Sequence, residues 1–224
     1  MCGRFTLTHP NEALARLFDA VPGNDLPEGP RYNICPTQRV AVVTSDNGRR
    51  LRAMRWGFVR AWSKSAKGGP LLINARAETI ATKPAFRDAV RARRCLIAAS
   101  GFYEWSGGEG GARLPWYVTR RDGAVMAFAG IWQHGAQDGL GQDGLGDDTC
   151  AMVTTGAGPD MSAIHHREPV ILAPKDWSLW LGEAGHGAAV LMRVVPTGAL
   201  QTYRVGVAVN SNRASGAALI VPLT

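Results

Sequence analysis

The sequence predicts an α+β domain built on a largely antiparallel sheet, closed or strongly curved and barrel-like, with short helices at its flanks. Two observations carry this. Segments with strand character outnumber those with helical periodicity, and most connections are shorter than the roughly dozen residues that a parallel crossover needs. A third fits them: 224 residues with 46% hydrophobic content suit one well-packed unit, so residues 1–224 are read as a single domain.

The elements follow in chain order. Cys2-Gly3-Arg4-Phe5-Thr6-Leu7-Thr8 reads as an opening strand. Residues 10–20 place Leu14, Leu17 and Phe18 at helical spacing, with Asn11 or Thr8 nearby to cap the helix. The Pro- and Gly-rich stretch 21–30 reads as a loop. Strands at 39–44 and 51–58 flank Asp46-Asn47-Gly48, a strong hairpin signal. A polar loop at 63–70 leads into a short apolar strand, Leu71-Leu72-Ile73, and residues 83–93 read as a helix with Pro84 in its first turn.

Further strands are expected at 95–99, 116–119 and 125–132. The connection 133–149 carries a tandem repeat, Gln137-Asp138-Gly139-Leu140-Gly141 followed by Gln142-Asp143-Gly144-Leu145-Gly146. Two Gly-rich pentamers cannot build a solenoid, so the repeat reads as a local duplication in a flexible loop. A strand at 150–155, a short helix at 159–164, a strand at 169–172, a helix at 174–181 and a strand at 203–209 complete the chain.

Composition narrows the function classes. No apolar run approaches the length of a membrane span, and the N-terminus lacks the apolar core of a signal peptide, so the expected compartment is the cytoplasm. The cysteines, Cys2, Cys35, Cys95 and Cys150, contain no C-x-x-C pair, which argues against a disulfide framework or a zinc site. The last three lie in apolar contexts that suit burial as small hydrophobes. No metal or cofactor is expected. The net charge of +7 leans toward a polyanionic partner, with arginine grouped at Arg49-Arg50-Leu51-Arg52 and Arg91-Ala92-Arg93-Arg94.

Four places set reactive or polar side chains among apolar strands. The first is Cys2, which becomes the N-terminus if Met1 is removed, as is general before a small second residue. An N-terminal cysteine is a 1,2-aminothiol: its amine condenses with an aldehyde, and its thiol closes a thiazolidine. With an α-amino pKa near 8, about a tenth of that amine is neutral at pH 7, against roughly 0.04% of an ordinary lysine. The other places are Asn74-Ala75-Arg76-Ala77-Glu78-Thr79, Gly101-Phe102-Tyr103-Glu104-Trp105, and Ile164-His165-His166-Arg167-Glu168-Pro169. Each has an ordinary alternative: a turn-forming Asn, a surface-paired Glu, a structural His. Their combination is what points to chemistry.

In that combination the chain resembles the SOS-response-associated peptidase (SRAP) family of abasic-site processing proteins. The landmarks run through nearly the whole sequence. They include Met1-Cys2-Gly3-Arg4-Phe5, Tyr32-Asn33-Ile34-Cys35-Pro36-Thr37-Gln38, Arg55-Trp56-Gly57-Phe58, Asn74 to Thr79, Gly101 to Trp105, Phe128-Ala129-Gly130-Ile131-Trp132 and His165 to Leu172. The resemblance implies recognition of abasic sites in single-stranded DNA and a covalent thiazolidine crosslink that protects the lesion during the DNA damage response. In it the Cys2 amine attacks the opened sugar's aldehyde, Glu104 moves protons, His165 assists sugar opening, and Asn74 positions the N-terminal residue. It further implies DNA contacts from Arg4, Asn33, Arg76, Thr155 and Arg167, with Trp105 stacking on a base beside the lesion. Peptidase activity on the chain's own N-terminus is also implied; apart from the resemblance, the chain is expected to act as a monomer.

Three departures stand out. Glu168 replaces the Met common in His-x-Arg-Met-Pro and is expected to compete with phosphate for Arg167. Ala98 stands for a proline, and Gly158 for an Asn after Thr154-Thr155. Two other readings stay open on the sequence alone. One is a cysteine-type peptidase acting on external peptides, with Cys2 as nucleophile beside His165 and Glu104. The other is a non-catalytic reader of single-stranded or modified DNA.

Overall fold

The computed structural model describes residues 2–60, 62, 70–135 and 147–223. Most of the polar loop expected at 63–70, and the tandem repeat at 137–146, lie outside the described residues. In chain order the elements are Phe5–Leu7 (β1), Asn11–Phe18 (α1), Val21–Pro22 (β2), Arg31–Ile34 (β3), Arg39–Ser45 (β4), Arg49–Trp56 (β5) and Asn74–Arg76 (β6). They continue as Arg87–Ala92 (α2), Arg94–Ala99 (β7), Gly101–Gly107 (β8), Arg113–Arg120 (β9), Met126–Gln133 (β10), Thr149–Gly156 (β11), Arg167–Pro169 (β12), Trp177–Leu181 (α3) and Leu200–Arg204 (β13).

Five strands close a ring in the order β11, β10, β7, β4, β5, with β5 returning to β11. The closing pairs are parallel, Thr149 beside Arg55 and Cys150 beside Trp56. Closure removes the sheet edges that would otherwise present unpaired backbone groups. The β4–β5 hairpin forms on the expected Asp46-Asn47-Gly48, where Asn47 and Gly48 take the positive φ values of 58° and 103° that the turn needs. A second sheet, in the order β13, β9, β8, β1, β3, packs against the ring.

The joint between the two sheets is aromatic. Phe5 of β1 is fully buried and meets Trp56 and Phe128 edge-on, with ring centroids 5.1 and 6.0 Å away. Burying a ring of this size stabilises the fold by about 1.5–3 kcal/mol. Phe102 of β8 meets the same Phe128 at 5.9 Å. The first residues of the chain are thereby anchored in the core. At Gly101 a side chain has no room: a Cβ there would lie 2.3 Å from the Tyr117 hydroxyl and 2.7 Å from the Val118 carbonyl. That close approach of β8 to β9 sets the strand that carries Glu104.

Several expectations shift. The α+β class and the curved sheet hold, but the β5–β11, β6–β11 and β2–β5 pairings are parallel. The apolar Leu71-Leu72-Ile73 contributes only a bridge from Leu72 to Phe58; the strand proper is Asn74–Arg76, selected by pairing with β11. The helix expected at 83–93 is confined to Arg87–Ala92, preceded by turns that bury Phe86 against Phe58. Residues 159–164 form turns rather than a helix: the Ser162 N–H reaches the Gly158 carbonyl at 2.9 Å and the His165 N–H the Met161 carbonyl at 3.0 Å, without a continuous ladder between them. The last strand lies at Leu200–Arg204, and 207–210 is a 3-10 turn. Strands β2, β3 and β8 had not been expected as strands. No described helix is long and apolar enough to cross a membrane.

Candidate functional site

The pairing of β1 with β8 brings the start of the chain to the acidic residue. Phe5 lies opposite Phe102, and the Tyr103 N–H donates to the Arg4 carbonyl at 2.9 Å. Continuing that antiparallel register carries Gly3 and Cys2 past Glu104 and Trp105. Cys2 is buried, and its thiol points back toward the Arg4 carbonyl, 3.8 Å from Sγ to O. The β6 strand approaches from the ring: Asn74 Nδ2 donates to the Cys2 carbonyl at 2.8 Å. Cys2, Asn74 and Glu104 are therefore brought together by three separate elements.

Burial sets the electrostatics. Glu104 is 2% exposed, and desolvation pushes its carboxyl up to about 6, against the opposing pull of the N-terminal charge first and then of the Trp105 N–H and the Arg113 charge. The Cys2 thiol is raised far above its ordinary range, by burial first and then by the neighbouring Glu104 charge. At neutral pH the thiol stays protonated while Glu104 is a poised base. Asn74 Oδ1 is buried with no hydrogen-bond partner among the described residues, leaving an acceptor beside Cys2.

His165 leads into β12, which lies on the edge of β11 opposite β6. Its Nδ1 lies 3.0 Å from the Arg167 backbone nitrogen, whose N–H it accepts, and 3.3 Å from the Arg167 carbonyl. Burial holds its pKa below the usual histidine value, assisted by the charges of His166 and Arg167. His166 is exposed and stacks on it, with centroids 4.3 Å apart. That lead-in is held by a strut across β11: Arg167 donates from Nη1 and Nη2 to Glu78 at 2.6 and 3.0 Å, and from Nη2 to the Thr154 carbonyl at 2.7 Å.

This corrects one expectation. The carboxylate on Arg167 is Glu78, not Glu168. Glu168 turns inward, is buried, and accepts the backbone N–H groups of Gly158 and Val195. On the same flank Arg76 is exposed and Thr155 is half-buried.

The remaining expected contacts gather at the other end. Arg4 Nη1 donates to Asn33 Oδ1 and to the Val209 carbonyl, both at 2.8 Å. Trp105 donates from Nε1 to Asn210 Oδ1 at 2.6 Å, and the guanidinium carbons of Arg4 and Arg113 lie 5.7 and 5.2 Å from its ring centroid. A groove of about 790 Å³ opens here, its walls including Gly3, Arg4, Trp105, Arg113, Asn210 and Asn212. Sequence reasoning missed Arg113, Asn210 and Asn212. The polar run Asn210-Ser211-Asn212-Arg213 was a usable signal for the last two. Cys35, Cys95 and Cys150 are free and buried, as expected. Among the described residues no three His, Cys, Asp or Glu side chains lie close enough to share a metal ion.

Comparison with known proteins places these features in context. A sequence model described as SOS response associated peptidase (SRAP) matches residues 1–212. The abasic site processing protein YoaM of Bacillus subtilis is 35% identical, with the alignment covering 98% of this chain and 97% of that protein. The abasic site processing protein YedK of Escherichia coli is 29% identical with full coverage of both chains. Among solved structures, a protein from Bacteroides thetaiotaomicron superposes with a TM-score of 0.84 over both entire chains at 22% identity, a likeness of fold. A phage-related protein from Bordetella bronchiseptica gives 0.70 at 28% identity, covering 91% of this chain and 94% of that one.

Proposed function

The chain belongs to the SOS response associated peptidase (SRAP) family, and on that footing we propose that it processes abasic sites in single-stranded DNA by forming a covalent thiazolidine through Cys2. The observation that carries this reading is the meeting of Cys2, its carbonyl held by Asn74, with the buried carboxyl of Glu104, whose pKa lies near 6.

The steps follow from these groups. Removal of Met1 frees the Cys2 amine, and the family's peptidase activity on its own N-terminus is one route to that removal. His165 assists opening of the closed deoxyribose to its aldehyde. The amine nitrogen bonds to the aldehyde carbon, and Glu104 relays one nitrogen proton to the carbonyl oxygen to make a hydroxyl. It then relays the second nitrogen proton to that hydroxyl, which leaves as water and gives a C=N bond. The Cys2 S–H then adds across the resulting C=N bond, sulfur bonding to carbon and the proton passing to nitrogen. A thiol kept protonated by burial suits this order, amine first and thiol second, and disfavours a cysteine-peptidase role that needs a thiolate from the start. Asn74 Oδ1 is available to accept a hydrogen bond from the amine. Arg4, Asn33, Arg76, Trp105, Thr155 and Arg167 line or brace the path of the strand. The chain acts as one unit over 1–224, as a monomer in the cytoplasm.

The test is incubation with an abasic single-stranded oligonucleotide, followed by denaturing electrophoresis and intact mass measurement. The expected product is a heat-stable adduct of the protein lacking Met1, with the mass of protein plus oligonucleotide less one water. Cys2→Ala should form none; full crosslinking by that variant would sink the mechanism.

A further inference from the structure

The arginines around the groove differ in availability. Arg4 is held by Asn33, the Val209 carbonyl and Asn212 Oδ1. Arg167 is held by Glu78 and Thr154. Arg113 is unlike both. It is exposed at the start of β9, lies 5.2 Å from the Trp105 ring centroid, and lines the groove a few residues from Cys2. Among the described residues its guanidinium has no carboxylate partner and no hydrogen-bond acceptor.

A planar guanidinium whose donors have no acceptor among the described residues, beside the half-buried Trp105 ring in a chain of charge +7, matches the geometry of a phosphodiester. The aromatic offers a platform for a base, and the guanidinium then lies where the strand's backbone passes. We propose that Arg113 is a phosphate contact of this groove, gripping the DNA backbone next to the nucleotide whose base packs on Trp105. The inference rests on the single-stranded DNA reading above and deepens it by assigning a contact to a residue outside the family motifs. The Arg113 charge is also felt by Glu104, which sets this contact within electrostatic reach of the reacting end.

The test is equilibrium binding across a salt series, with two oligonucleotides, one intact and one abasic, and three proteins: the parent, Arg113→Ala and Arg113→Lys. Loss of one phosphate contact should weaken binding to both DNAs about 3- to 10-fold at low salt and reduce the slope of log affinity against log salt by about 0.7. Arg113→Lys should restore the slope, and melting temperatures should stay together because Arg113 is exposed. Unchanged affinity and slope for Arg113→Ala would overturn the proposal, as would a parent protein that does not bind intact single-stranded DNA. Adduct formation is scored separately. Salt-dependent binding that needs Arg113 without any adduct supports this contact and removes the thiazolidine reading. An adduct with binding indifferent to Arg113 does the reverse.

Discussion

At the scale of single residues, the buried carboxyl of Glu104 carries opposite consequences for stability and for chemistry. Its folded pKa, about 6, lies above the ordinary 4.5, so folding favours the protonated form. The stabilisation from this group is fully present below pH 4.5 and is lost as pH rises through 6. At neutral pH the ionised, desolvated carboxylate therefore costs the fold on the order of 2 kcal/mol. Glu104→Gln should unfold at higher denaturant concentration than the parent at pH 7, with the gap closing at pH 4. The same substitution should slow adduct formation by roughly 100-fold, the usual reach of a lost proton-transfer group. In the parent, the rate should fall as pH drops through 6; a profile without that limb, or a Gln variant with parental rates, would remove Glu104 from the reaction. Glu104 was identifiable in the sequence because an acid flanked by three aromatics is an unusual arrangement. Arg113 was not, since an arginine heading a strand reads as a solvated charge until the fold lays it over Trp105.

At the scale of elements, β11 is the spine of the site, with β6 and its Asn74 on one edge and β12, led by His165, on the other. The Arg167–Glu78 pair ties those two edges together over Thr154. Arg167's side chain is 11% exposed and Glu78's is 51%, so solvent screens part of the attraction and the arginine bears most of the desolvation. Glu78→Ala should lower stability by about 1–2 kcal/mol in denaturant unfolding. It should also slow adduct formation more than it weakens DNA binding, because His165 loses its brace while the groove at Trp105 is untouched. Glu78→Gln, keeping one hydrogen bond, should recover part of the rate. Equal losses in affinity and rate would instead make Arg167 a phosphate contact first. Local chemistry made some elements legible: Asp46-Asn47-Gly48 fixed the β4–β5 hairpin, and the apolar spacing of α1 fixed that helix. The strand β6 was displaced from Leu71-Leu72-Ile73 because its pairing partner, 78 residues away at Met152 against Asn74, decides the register and local hydrophobicity does not.

At the scale of the whole molecule, the ring and the second sheet turn the chain's first residues into part of the core. The curved sheet was foreseeable from many short strands on short links. Its closure through the parallel β5–β11 pair was not, since that contact joins segments about a hundred residues apart in sequence and leaves no local periodicity. The same topology makes the site depend on where the chain starts. Phe5 is locked between Trp56 and Phe128, so Cys2 can reach Asn74 and Glu104 only as the residue three places upstream of that anchor. A variant with a short, uncleaved peptide fused before Cys2 leaves Arg4, Trp105 and Arg113 unchanged in sequence but has an amide where the proposed mechanism needs an amine. It should bind intact single-stranded DNA within about threefold of the processed protein, since on the proposed reading phosphate contacts supply most of the affinity. It should also form no heat-stable adduct with abasic DNA at any pH. Release of the fusion by a specific protease at the bond before Cys2 should restore crosslinking without any other change. An adduct formed by the uncleaved fusion would move the reacting group away from the N-terminal amine, and with it the reason for holding this end of the chain beside Glu104.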